Sequence, residues 1–208
     1  MELKEGEPGH FVEVNGHNVF GYSRYIDFYN TIVSHSEDDQ IFVEIGSFLG
    51  QSTAAMGYYI INSKKRIDFY AVDLFEISDF SDEPHTNIIN QHGGDFYKAF
   101  ETNIEKAKVD SAVKPLKMSS IEAASKFADR SVSFVMIDAS HKYEDVVDDI
   151  KAWFPKLKLG GIISGDDYDW EEVAKAAKDM LGTLGLANNS TWFCKKQAVS
   201  LEEQKNLK

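Results

Sequence analysis

Short apolar runs alternate with amphipathic stretches through most of this chain. We predict β-strands from the apolar runs Ile41–Ile45, Phe69–Val72, Val113–Lys117, Val132–Ile137 and Gly161–Ser164. Several of these runs are almost continuously apolar, which is typical of parallel strands covered on both faces. The regular alternation of strand and helix therefore predicts an α/β fold, with a doubly wound, mostly parallel sheet and right-handed crossovers.

Helical periodicity marks the segments between these strands. In two of them, apolar residues recur at spacings of three and four: Phe96, Phe100, Ile104 and Ala107, and then Val146, Ile150, Trp153 and Leu157. Such spacings place the apolar side chains on one face of a helix. We expect each of these helices to cover the sheet.

The N-terminal region departs from this alternation. Phe11–Val14 and His17–Phe20 flank Asn15-Gly16, a strong signal for a tight β-hairpin. A helix is predicted to follow, from Tyr22 to Ser34. Residues 1–35 are thus interpreted as an N-terminal hairpin and helix.

Two later regions also depart from the alternation of strand and helix. Leu74–Asp95 is a long polar segment between the second strand and its helix, and such a loop in a compact domain is usually functional or disordered. We interpret residues 74–95 as an insertion and a candidate lid. Thr183–Ala187 and Thr191–Lys195 flank Asn188-Asn189, which predicts a C-terminal antiparallel hairpin. Together these elements predict a seven-stranded sheet in a single domain spanning residues 1–208.

Length and composition are those of an ordinary globular domain. The chain has 208 residues, of which 43% are hydrophobic and 27% are charged, enough for a full core without disulfides. Cys194 is the single cysteine, which excludes an intrachain disulfide and fits a reducing compartment. Met1–His10 lacks the apolar core of a signal peptide, and no apolar run is long enough to span a bilayer. We therefore expect a cytoplasmic protein.

The formal net charge of -12 narrows the range of partners. Proteins that bind nucleic acids usually carry a basic face, and an acidic chain repels phosphate backbones. The short run Lys64-Lys65-Arg66 is interpreted as a solvated helix end. We expect no nucleic-acid partner and no membrane partner. A homodimer stays open as the quaternary state.

The turn after the first strand is a candidate cofactor site. In open α/β sheets, ligands bind beyond the carboxyl ends of the strands at the switch point. Glu44-Ile45-Gly46-Ser47-Phe48-Leu49-Gly50 follows this pattern, because its glycines permit a tight turn and close approach of a ligand. A merely tight turn is the alternative, and one glycine of the full dinucleotide motif is missing.

Polar residues also end the next two strands. Asp73 ends the second strand, where its carboxylate can accept hydrogen bonds from both hydroxyls of a ribose. A solvated strand end or a helix cap is the alternative for Asp73. Ser119 and Ser120 follow the third strand, where a nucleobase would lie, but we expect at least one of them to cap the helix from Ile121.

These motifs together resemble a known family. Glu44-Ile45-Gly46-x-x-x-Gly50, Asp73, Ile137-Asp138-x-x-His141-x-Tyr143 and the run from Trp153 to Tyr168 are similar to class I S-adenosylmethionine-dependent methyltransferases, and to the methyltransferase domain 24 family among them. The resemblance covers about residues 42–181. It implies a Rossmann-like methyltransferase fold and S-adenosylmethionine as cofactor. The contacts it implies are the methionine moiety with Gly46, Ser47 and Gly50, the ribose with Asp73, and the adenine edge with Ser119 and Ser120. Glu44 and Asp138 are further predicted cofactor contacts, and Asp138 is also a predicted catalytic residue.

Carboxylates converge near the expected reaction centre. Asp138 ends the fourth strand, while Asp166 and Asp167 end the fifth, which should be its neighbour in the sheet. Close carboxylates repel each other unless one is protonated or a cation lies between them, and aspartate oxygens suit magnesium, manganese or calcium. The three residues match the metal ligands of sugar and catechol O-methyltransferases. The alternative is that one aspartate contacts the cofactor and the others cap helices.

His141 occupies the position of the general base in the metal-dependent enzymes that the chain resembles. It follows Asp138 by three residues, in the predicted first turn of the next helix. Imidazole titrates near neutral pH and can take a hydroxyl proton, although an exposed helix residue is the alternative. The effects of the carboxylates and of the cation on His141 should largely offset each other.

The sequence thus predicts an S-adenosylmethionine-dependent O-methyltransferase. Its acceptor would be a small molecule, a sugar-like diol or a catechol-like compound, and a divalent cation, Mg²⁺ or Mn²⁺, would hold it. A metal-independent methyltransferase that uses His141, and a non-catalytic protein that binds S-adenosylmethionine, are the alternatives. A nicotinamide-dependent dehydrogenase is disfavoured by the incomplete glycine motif.

Overall fold

The structure, a computed structural model, describes residues 9–76 and 83–198. Its strands are β1 (His10–Val14), β2 (His17–Gly21), β3 (Gln40–Ile45), β4 (Ile67–Asp73), β5 (Val113–Lys117), β6 (Val132–Ile137), β7 (Leu157–Gly165), β8 (Gly185–Leu186) and β9 (Trp192–Lys195). Its α-helices are α1 (Ile26–His35), α2 (Gln51–Ser63), α3 (Glu83–Gln91), α4 (Phe96–Lys106), α5 (Ser120–Ala124), α6 (Tyr143–Trp153) and α7 (Glu171–Leu181). None of the helices in the described ranges is both long and apolar enough to cross a membrane.

The main sheet has the predicted topology. Among the described residues, seven strands pair in the order β5-β4-β3-β6-β7-β9-β8. The five strands from β5 to β7 run parallel, whereas β9 pairs antiparallel with both β7 and β8. The predicted doubly wound, Rossmann-like sheet with a C-terminal antiparallel hairpin is confirmed. The strand order reverses between β3 and β6, which makes their carboxyl ends the expected ligand-binding crevice.

Both faces of the sheet are buried. On one face, Phe42 and Phe134 pack in an apolar cluster that also contains side chains of α1, α2 and α4. On the other face, Val43 and Val135 pack with side chains of α5, α6 and α7. Alternate residues of β3 and β6 thus face opposite helix layers, which explains why these strands have almost continuously apolar sequences.

The N-terminal hairpin is confirmed, and its turn has the predicted chemistry. Asn15 and Gly16 both have positive φ angles, of 50° and 81°, as a type I′ turn requires. The Gln51 side chain fastens the hairpin to α2, since its amide donates to the backbone oxygens of His10 and Val19. Its Oε1 also accepts from the backbone N–H of Ser23.

The first helix begins later than its sequence pattern predicts. The predicted start was Tyr22, but α1 begins at Ile26. The bond from Ser23 to Gln51 holds the intervening backbone against α2 and outside the helix. This displacement has consequences for the site, because it leaves Arg24 and Tyr25 free to reach the carboxyl ends of β6 and β7.

The polar segment 74–95 contains a helix that its sequence pattern did not indicate. Helix α3 occupies Glu83–Gln91, with Ile89 buried in the apolar cluster beside α4. Residues 77–82 of the candidate lid lie outside the described residues, so the lid remains a prediction.

Candidate functional site

The Gly46–Gly50 turn lies between β3 and α2, at the switch point. Gly46 has a φ of +87°, and a Cβ atom there would come within 1.8 Å of the Asp138 backbone oxygen. Only glycine therefore lets β3 end this close to the end of β6. Gly50, with a φ of +86°, forms the left-handed N-cap of α2. The Ser47 hydroxyl is buried and makes no hydrogen bond of standard geometry within the described chain.

Glu44 is completely buried beneath this turn. One carboxylate oxygen accepts a hydrogen bond of 2.8 Å from the Tyr29 hydroxyl, and the other accepts from Thr53. Burial raises the pKa of Glu44, and hydrogen bonds from its neighbours oppose that shift. Glu44 thus ties α1 and α2 to β3, while its predicted cofactor contact remains a prediction.

Asp73 ends β4 and reaches the same turn. Its two carboxylate oxygens accept from the backbone N–H groups of Phe48, at 2.8 Å, and Phe75, at 2.7 Å. Burial raises the pKa of Asp73, and these backbone bonds oppose the increase. The structure therefore brings Asp73 to the predicted cofactor turn and shows that it also orders the local backbone.

Ser119 and Ser120 both have structural partners. Ser119 is the N-cap of α5, where its hydroxyl accepts from the backbone N–H of Glu122, which confirms the capping interpretation for this residue. The Ser120 hydroxyl accepts from the Trp153 indole at 2.9 Å. Burial raises the pKa of neighbouring Asp149 to about 6, although a hydrogen bond with Ser120 opposes the shift. Sequence patterns did not indicate this buried carboxyl group.

Asp138 and Asp166 end neighbouring strands, as predicted. Asp138 accepts a 2.6 Å hydrogen bond from Tyr25, whose side chain is fully buried. Asp166 accepts from the hydroxyls of Ser190, at 2.6 Å, and Thr191, at 3.2 Å. Burial and the charge of Asp167 raise the pKa of both carboxyl groups, and the shift is large for Asp138. The surroundings of Asp138 and Asp166 therefore stabilise the charged carboxylates less well than water does.

His141 points into this cluster from a position that differs from the prediction. It lies in the loop before α6, two residues ahead of the first helical residue, Tyr143, and outside the predicted first turn. Its Nε2 lies 2.8 Å from an oxygen of Asp167, and its ring stacks on Trp170 at 4.6 Å between centroids. The hydrogen bond to Asp167 raises the pKa of His141, and burial opposes the increase. The expected offset by a bound cation stays a prediction.

The residues with suitably placed metal-binding atoms differ from the predicted set. One ligand atom each from Asp138, His141 and Asp167 lies within 4.8 Å of the others. Asp166 is not in this set; its Oδ1 accepts from Ser190 and Thr191, and its predicted role as a metal ligand stays a prediction. The two carboxylates are donors that suit Mn²⁺ or Mg²⁺. The imidazole makes the set less specific for these ions than a set of oxygen donors alone. The donor chemistry fits a divalent cation, with His141 in place of Asp166.

The N-terminal segment adds a residue to the site that sequence patterns did not indicate. Arg24 is half-buried, and its guanidinium nitrogens lie 3.5 Å from Asp166, 2.5 Å from Asp167 and 3.0 Å from Asp169. Arg24 is one of three arginines in the chain. The one available signal was that the acidic pair needed a positive charge, and this signal did not say which arginine supplies it.

Residues 43–168 match a family model described as a methyltransferase domain, Methyltransf_24. An uncharacterized protein of Acanthamoeba polyphaga mimivirus is 25% identical over 156 residues, which are 73% of this chain and 63% of that protein. The chain therefore spans less than two thirds of the length of this relative. The family match covers the Gly46–Gly50 turn and the acidic cluster, but it excludes Arg24 and Tyr25.

Solved structures with a similar fold have much lower sequence identity. The O-methyltransferase NovP aligns with a TM-score of 0.59 at 14% identity, over 83% of this chain and 79% of NovP. A SAM-dependent O-methyltransferase from Thermotoga maritima aligns with a TM-score of 0.58 at 12% identity, over 93% and 79% of the chains. An rRNA methylase from Streptococcus thermophilus aligns at 0.56 and 13% identity, over 84% and 98%. At these identities the likeness shows a shared fold.

Proposed function

Because the chain belongs to the methyltransferase domain 24 family, we propose that it transfers the methyl group of S-adenosylmethionine to an oxygen atom of a small molecule. The observation that carries this proposal is the position of the imidazole and carboxylate cluster. His141, Asp138 and Asp167 lie at the carboxyl ends of β6 and β7. The glycine turn contacts the Asp138 backbone directly, so a methyl donor on the turn would lie beside these groups.

The glycine turn supports S-adenosylmethionine as the donor. A ligand at a switch point approaches the backbone closely, and the positive φ angles of Gly46 and Gly50 permit this approach. The buried Ser47 hydroxyl lies in this turn and could donate to a polar ligand group. We place the methionine moiety at this turn, the ribose at Asp73 and the adenine near Ser119. Ser120 contributes less, since it accepts from Trp153.

Methyl transfer requires an acceptor oxygen with its proton removed. Bound S-adenosylmethionine supplies an electrophilic methyl group on a positively charged sulfur. In the proposed reaction, the acceptor oxygen forms a bond to the methyl carbon, the carbon–sulfur bond breaks, and S-adenosylhomocysteine leaves. His141 would take the hydroxyl proton, and the bond to Asp167 would stabilise the imidazolium that results. Trp170 stacks on the ring and restricts its orientation.

A divalent cation is a finer part of this proposal. Asp138, His141 and Asp167 offer the donor atoms that would hold it. Its chemistry would be to bind two adjacent acceptor oxygens and to lower the pKa of the one that is methylated. Since a metal-bound His141 cannot also take a proton, the cation and the base are competing roles for this residue.

A small-molecule acceptor agrees with the charge of the chain. The net charge of -12 and the aspartates around the site oppose a polyphosphate substrate. The rRNA methylase from Streptococcus thermophilus shares the fold, but fold alone does not transfer a substrate. A catechol or a vicinal diol remains our proposed acceptor class.

The proposal is tested in two stages. Calorimetry should first show that the protein binds S-adenosylhomocysteine, and no binding would contradict the proposed function. Transfer of a labelled methyl group to a panel of catechols and vicinal diols should then be measured with EDTA, and again after Mg²⁺ or Mn²⁺ is restored. Activity that persists in EDTA would remove the cation from the proposal while leaving methyl transfer in place.

A further inference from the structure

Arg24 makes an unusually complete set of contacts with the acidic cluster. Its Nε faces Asp166, while one terminal nitrogen donates to Asp167 and both terminal nitrogens donate to Asp169. The Arg24 side chain is 18% exposed, compared with 3% for Asp166 and 18% for Asp167. The guanidinium is therefore as sheltered from solvent as Asp167, and Asp166 lies deeper.

The backbone around Arg24 is anchored as firmly as its side chain. The preceding residue, Ser23, is bonded to the Gln51 side chain, and the Arg24 carbonyl accepts from the Asn188 amide. The following residue, Tyr25, is buried and donates to Asp138. These three contacts thus hold Arg24 between the N-terminal segment and the turn that follows β8.

Arg24 uses one oxygen of Asp167 and leaves the other for His141. The guanidinium donates to Oδ1 of Asp167, whereas Nε2 of His141 contacts Oδ2. The two contacts together fix the rotation of the carboxylate. A positive charge in this position also reduces the attraction of the cluster for any second cation.

We propose that Arg24 is the built-in counter-cation of the acidic cluster: it positions Asp167 for His141 and limits the affinity of the cluster for a divalent cation. Three aspartates, Asp166, Asp167 and Asp169, surround this one guanidinium. Without Arg24, the same carboxylates would attract Mn²⁺ or Mg²⁺ far more strongly. The inference rests on the proposed function for the role of His141. The charges and contacts of Arg24 do not depend on that function.

The test is a titration of Mn²⁺ into the whole protein, followed by calorimetry. Arg24→Gln should raise the affinity for Mn²⁺ by roughly tenfold or more, because it removes a positive charge next to the donor atoms. Arg24→Lys retains the charge and should stay within about threefold of the wild-type affinity. Arg66→Gln is the matched control, since Arg66 also pairs with two aspartates, Asp38 and Asp39, but at the other end of the sheet. Its affinity should equal that of the wild type.

Equal or weaker binding of Mn²⁺ by Arg24→Gln than by the wild type, or no binding by either, would overturn the inference. Titration with S-adenosylhomocysteine separates this outcome from a failure of the proposed function, which would show as no binding of that ligand to the wild type. If Arg24→Gln does not fold, Arg24→Met replaces it, because Met keeps a long side chain without the charge. Mn²⁺ affinity should again rise by roughly tenfold or more, and an unchanged or weaker affinity would contradict the proposal.

Discussion

The pKa values of carboxyl groups shift in opposite directions at the two ends of the parallel sheet. At the carboxyl end, burial is the largest cause that raises the pKa values of Asp73, Asp138 and Asp166. At the amino end, Asp39 precedes β3 and Asp129 precedes β6. The pKa of Asp39 is lowered by its hydrogen bond to Arg66, and that of Asp129 by its hydrogen bond to Lys156.

The difference separates solvated ion pairs from buried carboxyl groups at the candidate site. Exposed pairs such as Arg66 with Asp39 are solvated and contribute little to stability. Buried carboxylates beside one another are unfavourable unless something compensates for them, and folds retain such arrangements mainly at functional sites. The contrast in pKa therefore points to the carboxyl end independently of any sequence motif. If the contrast holds, variants at the carboxyl end should change activity or ligand binding, whereas matched variants elsewhere should not.

The largest effect is expected from His141→Ala. If His141 takes the acceptor proton, turnover should fall by about 10²–10⁴-fold with little change in the affinity for S-adenosylhomocysteine. His35→Ala is the control, because His35 is exposed at the end of α1 and bonds only the Thr31 carbonyl among its described contacts. Steady-state kinetics of both variants would check this. A His141→Ala enzyme with wild-type turnover would show that the base is another group.

Asp149 should make stability depend on pH in the direction that is unusual for an aspartate. Its pKa is about 6 in the folded chain, above its ordinary value of 3.8, so only the folded state keeps the proton between these limits. The resulting stability is fully present below about pH 4 and is lost as pH rises through 6. The loss should be about 3 kcal/mol, and Asp149→Asn should abolish it. Urea denaturation from pH 4 to 7 would measure this; an unchanged slope in the variant would contradict the burial argument.

Asp73→Ala should weaken the binding of S-adenosylhomocysteine by roughly 1.5–3 kcal/mol, the usual cost of losing hydrogen bonds to a charged group. Asp68→Ala is a control on the same strand, because Asp68 is exposed near the amino end of β4 and pairs with Lys114. Calorimetry should show a loss of affinity for the first variant and none for the second. Equal affinities of Asp73→Ala and wild type would remove Asp73 from the cofactor site.

The smallest effect is expected from Asp129→Asn at the amino end. Asp129 pairs with Lys156 while most of its side chain is exposed, so water replaces the lost contact. The midpoint of urea denaturation at pH 7 should not change measurably. A clear shift in that midpoint would mean that charges at the amino end also stabilise the fold. The contrast between the two ends would then be weaker than proposed.

Sequence patterns predicted the sheet better than the site. The central strands β3 and β6 were identifiable because both of their faces are buried, which makes their sequences almost continuously apolar. Helix α3 escaped prediction, since it has few apolar anchors and Ile89 alone is buried among its described side chains. The start of α1 was misplaced because a hydrogen bond to Gln51, distant in sequence, holds Ser23 outside the helix.

The order of the strands and the residues that follow them could be derived from the sequence, because periodicity and turn chemistry are local properties. Gly46, Asp73, Asp138 and His141 were therefore predicted as site residues from their positions after the strands. Only the tertiary structure decided which charges meet: it brought His141 to Asp167, satisfied Asp166 with Ser190 and Thr191, and placed Arg24 between the aspartates. Arg24 and Asp166 are separated by 142 residues in the chain, and no local pattern encodes a contact over such a distance, because it depends on how every intervening element packs.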